Sequence, residues 1–261
     1  MHARVILTLP FLALALPTSA YCADGVDTAP HAIAPPSLYG ENARPLAPGE
    51  VIAASRVTVA AGADGNAIRP FASEMARPGA VLEHGAQVGL TSTLSLSATG
   101  FNDGIAGFDA TSSGATAALR FAPFTSGSSS FVASFGAVRD LGGHGGVFTR
   151  ASFTTAVGAL RFGGTLHGER IFAPTRDSFD VMAVASVSYG LPNALRLGVE
   201  WVGQDLEGAI DHDEREGVRH FVGPTVGYAF DRRFSITAGP AIGLSPGSPR
   251  TVGRLAIAYG F

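Results

Sequence analysis

Two stretches of the chain alternate strictly. From Phe179 to Tyr189 every odd position is apolar, while Asp180, Ser186 and Ser188 fall on even ones. After Leu191-Pro192-Asn193-Ala194, the side chains of Leu195, Leu197, Val199 and Trp201 share one face, and Arg196, Gly198 and Glu200 the other. Period two marks a β-strand with two unlike faces, and two such runs joined by a short turn predict a hairpin. A second hairpin is predicted from Val218 to Phe230 and from Phe234 to Leu244, around the turn Asp231-Arg232-Arg233. Weaker alternation predicts strands near 84–100, 112–124, 129–140, 148–162, 165–174 and 250–261, which brings the count to ten.

The less apolar face of these strands is built from Gly, Ala, Ser and Thr with scattered charges, as in Ser235, Thr237, Gly239, Ala241 and Gly243. A soluble sandwich would carry dense charge there, so this face fits a crowded barrel interior. Short connections at 124–129, 163–164, 191–194 and 231–233 alternate with longer polar ones at 101–111, 140–147, 174–178, 204–217 and 245–249. Short turns on one rim and long loops on the other are the habit of a transmembrane barrel, whose short turns lie in the periplasm. The expected fold is all-β: a closed antiparallel transmembrane barrel of about 10 strands, with roughly 8 to 12 compatible with the spacing.

Composition agrees. Only 15% of the 261 residues are charged and 46% are hydrophobic, against roughly 25% charged in soluble domains. Only the N-terminal apolar run approaches the roughly 18 residues that a spanning helix needs. That run, MHARVILTLPFLALALPTSA, has Arg4, an apolar stretch Val5–Leu16 and small residues at Thr18 and Ala20, the layout of a signal peptide over 1–20, with cleavage as late as 23. The single Cys22 permits no internal disulfide, and Tyr21 before it departs from a lipidation signal. Residues 21–80 hold seven prolines and are expected to form a largely irregular periplasmic tail. Within it Arg56-Val57-Thr58-Val59 is weakly strand-like, and Phe71 to Glu83 suits a short plug. The barrel is then 81–261. A net charge of −3 gives no basic footprint for a nucleic-acid binder, and the absence of lysine adds nothing to the functional reading.

The chain closes on Leu255-Ala256-Ile257-Ala258-Tyr259-Gly260-Phe261. This resembles the C-terminal assembly signal of Gram-negative outer-membrane β-barrels, with Leu255, Ile257, Tyr259 and Phe261 in the places presented to the insertion machinery. The resemblance implies an outer-membrane location. It also implies three partners: outer-membrane lipid, the barrel-assembly machinery and periplasmic chaperones during biogenesis. It selects no narrower family, and the oligomeric state is left open. Two aromatic bands fit the interfacial girdles of such barrels: Phe162, Tyr189, Phe230, Phe234, Tyr259 and Phe261 near the short turns, and Phe101, Phe172, Phe179 and Trp201 near the long loops.

Phasing the alternation on the apolar face sends Arg120, Arg150, Asp180, Arg196, Glu200, Arg219 and Arg254 into the lumen, with His167 and Glu169. Such an interior either holds a narrow barrel shut through ion pairs or lines a polar passage. The outer segment Gln204–Gly217 is acidic, and Asp211, Asp213 and Glu214 form a weak cation candidate. Their spacing lacks the D-x-[DN]-x-[DN]-G pattern, so a solvated loop without metal is expected. Asp211-His212-Asp213 lies on a loop, a poor place to preorganise an acid–base pair. Ser152 or Ser186 with His167 or His220 is the remaining nucleophile–base combination, without any local motif, and no cofactor motif is visible. A non-enzymatic barrel, structural or passing small solutes, leads. A hydrolase of lipid or peptide at the loop rim and a surface adhesin using the long loops remain as alternatives.

Overall fold

A computed structural model describes residues 43–61, 79–103, 113–173, 179–209, 218–245, 248 and 250–261. Twelve antiparallel strands close into one barrel: β1 Val51–Ala61, β2 Gly79–Gly89, β3 Leu94–Asp103, β4 Gly114–Ser126, β5 Ser129–Asp140, β6 Gly145–Val157, β7 Leu160–Ile171, β8 Asp180–Gly190, β9 Leu195–Gln204, β10 Arg219–Ala229, β11 Phe234–Gly243 and β12 Thr251–Gly260. Each pairs with its sequence neighbours, and β1 pairs with β12 from Ile52↔Gly260 to Ala61↔Thr251. No edge is left, so every strand finds partners for its backbone N–H and C=O groups, a necessity in lipid.

The tight turns follow from their residues. At 231–233 the Asp231 carboxylate accepts from the backbone N–H of Arg233 (2.6 Å) and Phe234 (2.7 Å). In the four-residue connection 191–194, closed by the Leu191 N–H donating to the Leu195 carbonyl at 2.7 Å, Asn193 and Ala194 take left-handed φ of 64° and 58°.

Three expectations are corrected. The stretch 84–100 is two strands rather than one, folded at Leu90-Thr91-Ser92-Thr93. That turn holds neither glycine nor proline; Thr91 Oγ1 accepts from the N–H of Thr93 and Leu94 instead. The turn expected at Gly163-Gly164 is at 158–159, where Gly158 has φ +60°. Gly164 lies mid-strand, leaving room for the Phe153 ring across the β6–β7 ladder. The third correction concerns the tail. Part of it, 51–61, is the strand that closes the barrel, and 79–80 already belong to β2. Residues 79–83 of the expected plug are therefore strand, while 71–78 lie outside the described residues, as does the signal peptide.

Residues 43–50 also depart from a tail. Ala43 clusters with Ala122 of β4 and Val132 of β5 on the inner wall, and Leu46 is equally buried. Arg44 pairs with Glu50 at 2.5 Å, and Gly49 N–H donates to the Gly89 carbonyl at 2.8 Å. This strap therefore runs from the start of β1 to the β4–β5 wall, across the short-turn mouth.

Outward positions carry the bulky apolar side chains, among them Phe121, Phe135, Leu166, Val199 and Ile242. The core is the lumen. An inward apolar cluster joins Val81, Met182, Val184, Val202, Phe221, Ala241 and Val252 on the wall that runs from β8 through β12 and β1 to β2. Along the short-turn rim Tyr228, Phe230, Phe234, Tyr259 and Phe261 form a chain of rings with neighbouring centroids 4.7 to 6.5 Å apart. Phe172, Phe179 and Trp201 stand outward near the other rim. Phe101 does not: it turns inward against Ala118 and Phe148.

Candidate functional site

The barrel wall sets every site residue by the parity of its strand. Arg120, Arg150, His167, Glu169, Asp180, Arg196, Glu200, Arg219 and Arg254 all occupy inward positions. Period-two alternation is enough to place them. Inward charges missed from the sequence are Arg56 on β1, Glu83 on β2, Arg161 on β7 and Asp140 at the end of β5, together with the neutral Gln87. The first sits on a strand whose two faces are both small, and the next two were assigned to a strand or turn with different limits.

Many of these charges share one height. Arg56, Glu83, Arg120, Arg150, His167, Glu200 and Arg254 lie five to seven positions from the short-turn ends of their strands. Four arginines of this belt come from the wall running from β12 through β1 to β6, whereas β8 to β11 contribute Glu200 among small or apolar neighbours. The belt is tied to the wall by specific contacts. Arg254 donates to Glu83 at 2.6 Å, crossing over β1, and Arg120 bonds Gln87. Arg150 reaches His167 Nδ1 at 3.4 Å and rests on the Phe148 ring at 5.6 Å. His167 Nε2 in turn meets Glu169 at 3.2 Å. Arg120 is 1% exposed and Glu169 0%. Side chains this deeply buried leave a narrow lumen rather than a wide aqueous one. The inward strand positions with described side chains carry seven arginines against five carboxylates, Glu83, Asp140, Glu169, Asp180 and Glu200, a small excess of positive charge.

At the long-loop rim the chain turns sharply at Asp205, whose φ is +55°, into a single 3-10 turn, Leu206–Ala209. Glu207 there accepts the Val181 N–H at 2.6 Å, standing in for a rung that β9 no longer supplies to β8. Asp180, Asp205 and Glu207 come close together, and Arg219 pairs with Asp205 at 3.3 Å. Burial raises the Glu207 pKa to about 7, with the charges of Asp205 and Asp180 adding to it and the backbone amides of Glu207 and Val181 opposing. The loop carboxylates Asp211, Asp213 and Glu214 lie outside the described residues.

The serine–histidine combinations suggested by the sequence are not assembled. Ser152 bonds Thr165 at 3.2 Å, Ser186 bonds the Gly163 carbonyl at 3.5 Å, and His220 stacks on Trp201 at 5.7 Å on the outer face. One serine–histidine contact escaped sequence reading: Ser55 Oγ to His84 Nδ1, 2.8 Å, across β1 and β2 on the outer face. No carboxylate bonds that ring among the described residues, and Ser55 sits in ladders on both sides, so its surroundings lack the preorganised donors of an acyl-transfer site.

No protein-family model and no curated protein matches this chain. Solved structures do. The KdgM porin aligns over 80% of this chain and 99% of its own, with a TM-score of 0.54 and 10% identity. The COG4313 outer membrane channel from Pseudomonas putida F1 aligns over 84% and 98%, with 0.53 and 12%. The NanC porin aligns over 79% and 98%, with 0.51 and 11%. At such identity the likeness is one of fold, and it spans those barrels from end to end. The chain is a closed twelve-stranded β-barrel with the fold of these outer-membrane barrels, and its apolar exterior and aromatic rim suit an outer membrane.

Proposed function

We propose that the barrel is a passive, narrow channel for small solutes, preferring anions, with the charged belt at mid-height as its filter. The observation that carries this reading is the belt itself. Arginine comes from one wall and Glu200 stands on the other, so a solute crossing the constriction meets fixed opposite charges instead of bulk water. Guanidinium forks pair with carboxylate or phosphate oxygens two at a time, which suits a filter for small anions. Neighbours of the same fold support the reading, one of them described as a porin in complex with disordered oligogalacturonate. The polyanionic chemistry of that ligand agrees with an arginine-rich lumen. The strap at 43–50 narrows the short-turn mouth and sets the resting conductance.

Planar bilayers test the proposal. Unitary currents with a reversal potential displaced toward the anion are expected, and removal of residues 43–48 gives a larger unitary conductance. A fully inserted, heat-modifiable barrel that stays silent in both forms overturns the channel reading. The same silence coupled to lipid or peptide turnover would favour a hydrolase.

A further inference from the structure

The outward positions of the strands are almost free of charge. Among the described strand side chains, Arg139 of β5 and Arg170 of β7 are the only outward arginines, and no carboxylate points that way. Both are exposed and both lie at the long-loop ends of their strands. They flank β6: Arg139 pairs with Gly145 on one side, and Arg170 pairs with Val147 on the other.

The ground between them is open. Gly145 has no side chain, and a Cβ built there would meet nothing closer than the Val138 carbonyl at 3.9 Å. The Arg170 guanidinium stands 5.9 Å from the Phe172 ring, and Phe172 is itself exposed. Neither arginine has an ion-pair partner among the described residues. The acids adjacent in sequence face elsewhere: Asp140 is turned to His144, with 3.0 Å to its ring and 2.7 Å to its N–H, and Glu169 points inward to His167 at 3.2 Å.

A guanidinium on the lipid face is costly at the bilayer centre and nearly free at the interface, so these two belong at headgroup level. Two of them on one short stretch of wall, with no acid paired to either among the described residues, suit an anion from outside the chain. Their planar forks match the paired oxygens of a phosphate better than a point charge does.

We propose that Arg139 and Arg170 hold the phosphate of a phosphorylated membrane-lipid headgroup across Gly145 on the outer wall of the barrel. The site rests on the long loops facing the outer leaflet, and not on the lumen conducting.

Native mass spectrometry of the refolded full-length protein in detergent reads the site when phosphorylated lipid A, dephosphorylated lipid A and inorganic phosphate are offered separately. The wild type is expected to retain the phosphorylated lipid alone, and the R139Q/R170Q variant to retain roughly tenfold less of it. Equal retention of both lipids, or undiminished retention by the variant, overturns the site. Inorganic phosphate binding as tightly as the lipid would overturn the lipid as its source. Should the double variant fail to fold, judged by heat-modifiable migration, R170Q and the wild-type contrast between the two lipids decide. Channel currents of the double variant are expected to equal those of the wild type, so loss of lipid retention and loss of conductance are separate outcomes.

Discussion

Glu83 and Arg254 show how much one inward pair can matter. Both are withdrawn from water and meet at 2.6 Å. E83Q keeps the shape and removes the charge, leaving the guanidinium without this partner at a cost of about 3 kcal/mol. That loss is expected in the unfolding free energy of the detergent-solubilised barrel, whereas replacing both residues by apolar ones of similar volume is expected to be nearly neutral. Glu207 makes a prediction of a different kind. Its pKa is raised to about 7 in the docked rim turn, chiefly by burial, so docking favours the protonated acid. The stabilisation is therefore complete below the ordinary carboxylate range and is lost as pH rises through about 7. Arg219 faces this cluster from β10 through Asp205 and does not cancel it. Proteolysis of the 205–217 segment is expected to accelerate between about pH 6 and about pH 8 in the wild type and to lose that dependence in E207Q.

Among the elements, β8–β9 and β10–β11 were legible because bulky and small residues alternate without a break and because Asn, Asp and Pro punctuate their turns. The belt residues on those strands followed directly from parity. β1 was not legible, since Val51-Ile52-Ala53-Ala54-Ser55 offers similar small or aliphatic side chains to both faces, and a proline-rich context argued for a tail. The β2–β3 hairpin was hidden by a turn made from threonine and serine, which bend a chain less forcefully than glycine. Arg56 and Glu83 were lost with those two elements, so the sequence showed the arginines of the belt more fully than their partners. Val57 distinguishes the two readings of β1. It faces outward near the middle of the strand, where a tail would tolerate any residue. V57R is expected to destabilise the barrel by about 2–4 kcal/mol, the cost of arginine against the bilayer core. Unchanged unfolding would remove β1 from the wall.

At the scale of the molecule, the chain resolves a surface too apolar for water by turning that surface outward and burying its charge in the lumen. The C-terminal strand carries the residues that resemble an assembly signal, and Leu255, Ile257, Tyr259 and Phe261 all stand on its outer face. We propose that the insertion machinery reads this face. Deleting Phe261 is expected to lower the yield of assembled barrel in cells while leaving refolding into detergent unaffected. Equal losses in both settings would count against a recognition role.

Pairing β1 with β12 has a consequence in time. The first and last strands lie some two hundred residues apart, so their contact is the most remote of the barrel's strand pairings and carries the largest loop-closure cost. Until synthesis has ended, both would-be neighbours present unpaired backbone to anything nearby, including another copy of the same chain. The barrel is thus closed only when both terminal strands are in place, and until then each carries an edge that needs cover.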